Sequence, residues 1–114
     1  MPAPAALRLW APVVVWAAVI FAFSSVPDLG TGLGTWDLVL RKLAHGAEYA
    51  VLGALLLRAL GGELPAFLAG VSYAITDELH QHFVPGRVAA PLDVLIDAAG
   101  VAVGIVLWRR LAAR

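Results

Sequence analysis

Residues 76–97, TDELHQHFVPGRVAAPLDVLID, gather Asp77, Glu78, His80, Gln81, His82, Arg87, Asp93 and Asp97 into one polar run. The sequence on either side of it is almost wholly apolar. A smaller polar group, Lys42, His45, Glu48 and Tyr49, lies upstream. Carboxylates beside imidazoles can exchange protons with a substrate, which makes His45 and Glu78 the general acid–base candidates. Lys42 and Arg87 are the groups able to hold an anion such as a lipid phosphate, Arg87 in a bidentate grip. Glu48, Tyr49, Asp77, Glu78, Gln81, Asp93 and Asp97 complete a set suited to a polar or amine-bearing ligand.

Each of these readings has a plainer rival. His45-x-x-Glu48 puts an imidazole and a carboxylate on one helix face, as helical-bundle metal sites do. The spacing reads first, however, as a hydrogen-bonded pair near a membrane surface. No H-E-x-x-H motif is present, and no metal or cofactor is assigned. Arg87 reads first as the neutralising partner of Asp77, Glu78 or Asp93, because so many acids surround it. Ser24 and Ser25 near a histidine are a geometric possibility only, since no nucleophile elbow accompanies them. A last alternative is a purely structural polar network. Polar contacts between membrane helices average only about 0.6 kcal/mol, so stability alone is a weak reason to keep so many.

The elements that must position these residues are helices. The chain has 114 residues, 61% of them apolar, and a mean hydropathy of +0.87. Soluble domains are about 45–50% apolar, so the bilayer is the expected solvent. Backbone groups in lipid must satisfy one another, which favours helices. The length suits one domain, 1–114. The absence of cysteine removes disulfides and thiolate metal sites. Zero formal net charge without a basic tail makes nucleic acid an unsuitable partner.

A membrane helix needs about 20 mainly apolar residues. Four stretches meet that expectation: about 7–25, 42–60, 65–83 and 92–109. The first reads as a span rather than a cleaved signal, because no A-x-A site follows it. Residues 26–40, with Pro27, Gly30, Gly32 and Gly34, read as a loop, and so do residues 84–91. Gly61-Gly62 is placed to end the second helix. On the fourth, Asp93, Asp97, Gly100 and Gly104 share a face, and Gly100-x-x-x-Gly104 permits close helix contact.

Four spans place both termini on one side, with Arg8, Arg58, Arg109, Arg110 and Arg114. Arg41, Lys42 and Arg87 fall on the other. Five basic residues against three make the termini cytoplasmic by the positive-inside rule. The ends bearing Ser24-Ser25, His45 and Glu48, Asp77 to His82, and Asp93 and Asp97 then meet at the outer end. Seven acids gather there, Asp28, Asp37, Glu48, Asp77, Glu78, Asp93 and Asp97.

Four motifs carry a family resemblance. They are FSSVP at 23–27, RKLAHGAEYAVLG at 41–53, DELHQHFVPGR at 77–87 and LDVLIDAAGVAVG at 92–104. In that order they resemble the VanZ-like family, small bacterial membrane proteins named after a teicoplanin-resistance accessory protein. The resemblance implies an integral, multi-pass protein of the bacterial envelope, and an antibiotic-resistance association for the namesake. It implies no known catalytic residue. The matching motif positions are Lys42, His45, Tyr49, Asp77, Glu78, Gln81, Arg87, Asp93 and Asp97.

The expectation is therefore an all-α, integral membrane four-helix bundle in the inner (plasma) membrane, both termini cytoplasmic, with the lipid bilayer as its surroundings. Its acidic outer end is expected to bind a polar headgroup, with a lipid-linked cell-wall precursor as one candidate. The alternative is an enzyme acting on an isoprenoid-lipid headgroup, by acid–base chemistry through His45 and Glu78 or by metal-assisted chemistry. Sequence leaves the oligomeric state open.

Overall fold

A computed structural model of the chain describes residues 4–25, 35–85 and 91–113, with side chains in the second helix from residue 39 onward. Four helices account for nearly all of it: α1 Ala5–Ser24, α2 Thr35–Leu60, α3 Glu63–His82 and α4 Pro91–Ala112. The expected all-α architecture is present. At 1.5 Å per residue, helices of 20 to 26 residues are about 30–39 Å long, enough to cross a hydrocarbon core of about 30 Å.

Two expectations need correction. α2 starts at Thr35, so Trp36 and Asp37 are helical and not part of a loop. The glycines that signalled a loop stop at Gly34, and nothing in TWDLVL breaks a helix. The second concerns the number of spans. Among the described residues three helical segments, not four, are long and apolar enough to cross a membrane: Ala5–Ser24, Val39–Leu60 and Pro91–Ala112. α3 is long enough but too polar, because Asp77, Glu78, His80, Gln81 and His82 crowd its last turns.

The distribution of those residues explains the shortfall. Ala66, Gly70, Ala74, Asp77 and Gln81 follow one stripe of α3, and all are buried. Leu64, Leu68, Ile75 and Leu79 follow another, and all are exposed. α3 thus buries its small and polar residues and turns leucine and isoleucine outward. α1 is likewise apolar outside, with Leu7, Val14, Val15, Phe21 and Phe23 exposed. An apolar exterior around a polar interior suits lipid surroundings.

Contacts fix the helix directions. Trp16 of α1 meets Glu48 of α2 while Phe23, further along α1, lies with Arg41 and Ala44, and Glu63 opens α3 where Arg109 closes α4, so within each pair the helices run antiparallel. α2 and α4 run parallel, with Lys42 beside Asp93 and Gly46 beside Gly100. The core between the helices holds Ile20, Tyr49, Leu52, Leu56, Ala74, Val101 and Ile105. α2 ends at Gly61, whose φ of 78° is left-handed and whose N–H reaches Leu57 O at 2.8 Å.

α1 buries only Val13, Ile20 and Ser24, so side-chain hydrogen bonds matter to its seating. Trp16 Nε1 donates to Glu48 O at 2.8 Å, and Tyr73 Oη of α3 donates to Ala17 O. Trp16→Phe keeps an aromatic side chain, though a smaller one, and removes one donor. It should lower unfolding stability in detergent by about 0.5–1 kcal/mol, since the acceptor is a helical carbonyl that keeps its own partner. A loss several times larger would mean that Trp16 acts through packing instead.

Candidate functional site

The polar ends of all four helices lie together. On α3 the buried stripe ends in Asp77, 2% exposed, and Gln81, 1% exposed. Tyr49 of α2 is fully buried, and its hydroxyl donates to Asp77 Oδ2 at 3.0 Å. Gln81 Nε2 lies 3.3 Å from the same Oδ2 and 3.5 Å from Ser24 Oγ of α1. Asp77 is therefore held by neutral donors. Among the described residues no donor reaches Asp77 Oδ1 or Gln81 Oε1.

α4 contributes two further carboxylates, each facing a base on α2. Lys42 Nζ donates to Asp93 Oδ1 at 2.6 Å in a half-buried ion pair. His45 Nδ1 lies 3.0 Å from Asp97 Oδ1, and an ionised carboxylate makes that nitrogen the donor. The Asp97 side chain is only 3% exposed. The two contacts run in step along parallel helices, so the backbone spacing of α2 and α4 sets both.

Glycine sets that spacing. A Cβ on Gly100 would stand 2.4 Å from Gly46 O, and one on Gly104 1.8 Å from Ala50 O. Backbone therefore touches backbone along this seam, as the Gly100-x-x-x-Gly104 spacing anticipates.

Beside His45 a cleft of about 340 Å³ lies between α1 and α2, lined by Phe23, Arg41, Ala44, His45 and Glu48. Between α1 and α3, His80 stacks on Phe21 with ring centroids 4.1 Å apart, and His80 Nε2 lies 2.9 Å from Ser25 Oγ. With the Ser25 hydroxyl donated to Phe21 O, the hydrogen of that contact belongs to His80. Glu78 is 8% exposed and lies 3.8 Å from the exposed His82, beyond hydrogen-bond reach.

Lys42, His45, Glu48, Tyr49, Asp77, Glu78, Gln81, Asp93 and Asp97 thus lie towards one end of the bundle. Arg87 and Asp28 lie outside the described residues, as does the side chain of Asp37. His45 takes Asp97 across the helix interface as its carboxylate, while the Glu48 side chain lines the cleft. Tyr73 was missed. It meets Tyr49 edge-on with centroids 6.2 Å apart, and its place four residues before Asp77 was the available signal. One donor atom each from His45, Asp77 and Asp97 all lie within 4.8 Å of one another, a grouping able to hold a metal ion. The far end carries Arg58, Glu63, Trp108 and Arg109 around a shallow cleft, with Arg109 ion-paired to Glu63 in the open.

No curated protein matches the chain, and no solved structure does. The family model described as VanZ/LLP1 matches residues 9–112. That match takes in all four helices almost end to end, from the first turns of α1 to the close of α4, and so the chain, a multi-pass membrane protein by its helices, belongs to the VanZ/LLP1 family.

Proposed function

We propose that this protein binds a polar headgroup of the bacterial envelope, a lipid-linked cell-wall precursor being the kind of ligand that fits, at the polar end of its bundle. One observation carries the reading: four helices of an apolar protein spend buried positions on polar side chains at one end, and among the described residues no donor reaches Asp77 Oδ1 or Gln81 Oε1 there. The cleft between α1 and α2 offers a route in from the lipid side, with His45 and Glu48 on its wall. Sugar hydroxyls and amides can donate to those acceptors.

Lipid retained after purification in mild detergent and read by native mass spectrometry tests the reading. The wild-type protein should carry an envelope lipid, and Gln81→Ala and Glu48→Ala should lose most of it while remaining folded, Gln81→Ala at a cost in melting temperature because it empties a buried position. An empty wild-type protein, or equal retention in folded variants, would overturn it.

A second reading has its own support. Asp97 orients the His45 imidazole at the cleft, the arrangement by which a carboxylate prepares a general base. Turnover of a bound headgroup that disappears in His45→Gln while lipid is retained would make the protein an enzyme.

The polar end is assigned to the outer face, because Arg8, Arg58, Arg109 and Arg110 gather at the opposite end. Parallel α2 and α4 also argue that α3 crosses: if both run in one direction through the bilayer, the chain between them must return. Since the chain lacks cysteine, single introduced cysteines report cleanly. Phe83→Cys should react with an impermeant maleimide on intact cells, and Glu63→Cys only after permeabilisation. Labelling of both from one side would remove α3 from the membrane, and the reverse pattern would invert the protein.

A further inference from the structure

We infer that His45, Asp77, Asp97 and Gln81 form a binding site for one divalent cation, with Mn²⁺ the best-suited ion and Zn²⁺ the next. The site does not depend on headgroup binding and is tested without any lipid ligand.

Proximity is the first support. His45 from α2, Asp77 from α3 and Asp97 from α4 each offer one donor atom, and these lie within 4.8 Å of one another. Donors about 2.1 Å from a shared ion can be no more than about 4.2 Å apart, so side-chain shifts of a few tenths of an ångström close the set. Three helices supply the three donors, and the glycine seam between α2 and α4 holds two of those helices at a fixed distance.

The second support is independent of the acids. Gln81 is 1% exposed, and its amide nitrogen lies on the Asp77 carboxylate. Its carbonyl oxygen nevertheless has no donor among the described residues, and neither has Asp77 Oδ1. A buried acceptor without a donor has given up its water and gained no partner in return. A cation bound by Asp77 would satisfy its open Oδ1, and the Gln81 amide lying on that carboxylate offers a further oxygen beside it.

Charge points the same way. Among the described residues Lys42 is engaged with Asp93, and the donors on Asp77 are a phenol and an amide. Asp77 and Asp97 together match the charge of one dication. Carboxylate and amide oxygens with a single imidazole form a mixed set that suits Mn²⁺ or Zn²⁺ and disfavours Cu(I). An ion entering there replaces the hydrogen between His45 and Asp97, as metal binding generally displaces protons from its ligands. It would also give a phosphate an attractive position in an otherwise acidic end.

The chain has three histidines, and two of them, His80 and His82, lie near the rim. The test uses full-length protein with a histidine-free tag and His80→Ala/His82→Ala, so that His45 is the sole imidazole. Chelator-treated protein is titrated with Mn²⁺ and followed by electron paramagnetic resonance. One ion per chain should bind, with a directly coordinated nitrogen visible in electron–nuclear double resonance. Asp77→Asn and Asp97→Asn should each weaken binding by about tenfold or more. Absence of binding would overturn the site. So would bound Mn²⁺ without a coordinated nitrogen, a reading that needs no carboxylate variant to fold. Unchanged affinity in both folded asparagine variants would overturn it as well.

Discussion

Gly104→Ala should part α2 from α4 and be among the most damaging single substitutions in this chain. The added Cβ would stand 1.8 Å from Ala50 O, 2.6 Å from Ala50 C and 2.8 Å from Ala50 Cα. These are backbone atoms of a helix, which cannot rotate aside as a side chain would. Overpacking typically costs about 1–3 kcal/mol, and here the clash is with main chain, so a loss at or above the upper figure is expected. Gly46, on the facing helix, is a control at the same crossing. A Cβ there meets only Ile96 Cγ2, at 4.0 Å, which is ordinary contact. Gly46→Ala should be neutral or slightly stabilising, since alanine is favoured over glycine in helices by about 1 kcal/mol. Unfolding in detergent by heat or dodecyl sulfate reads both. Equal losses would mean that α2 and α4 do not meet through Gly104.

The same seam ties packing to the site. Lys42–Asp93 and His45–Asp97 lie one turn apart on the parallel pair, just beyond the Gly46–Gly100 contact. Separating the helices lengthens both contacts together. A milder variant at Gly100, whose Cβ would stand 2.4 Å from Gly46 O, should therefore disturb ligand or ion binding before it prevents folding.

What could be read from the sequence, and what could not, follows from the range of the forces involved. Long apolar runs announced the helices, because burying or lipid-facing residues repeat locally. The start of α2 was missed because loop glycines and proline weighed more than the unbroken TWDLVL that follows them. α3 was expected to qualify as a span from its apolar first half. Its last turns fail that standard by composition, since Asp77, Glu78, His80, Gln81 and His82 fall within them, and of these Asp77, Glu78 and Gln81 are buried among other helices. The convergence of polar ends was legible, since alternating directions alone bring them together. The partners were not. Helix periodicity places His45 and Glu48 on one face, but says nothing of what lies opposite. Asp97 is 52 residues away, and only the parallel packing of α2 on α4 brings it to His45. The Gly46-x-x-x-Ala50 spacing was the matching half of that signal, and it was legible only once Gly100 and Gly104 had a partner to seek.

His45 and Asp97 should show strong mutual dependence, and the way that dependence resolves separates a structural network from a functional one. His45→Leu leaves a carboxylate that is 3% exposed without its imidazole. Breaking one side of a buried pair costs about 3–5 kcal/mol in soluble proteins. Inter-helix polar contacts in membranes are weaker, at most about 1.7 kcal/mol by measured cycles, but those include neutral contacts. A coupling of about 1–2 kcal/mol is therefore expected here. His45→Leu/Asp97→Leu removes both charges and keeps apolar volume, so it should be more stable than the sum of the single losses implies, and close to the wild-type protein. Thermal unfolding of the four proteins in one detergent gives the coupling directly. If the polar end served only to join helices, the double variant would retain whatever lipid or ion the wild-type protein holds. The expected result is a folded protein that retains neither, because the cleft wall has lost His45 and the acceptor set has lost Asp97. Independent, additive losses from the two single substitutions would show that the pair is not formed in the membrane.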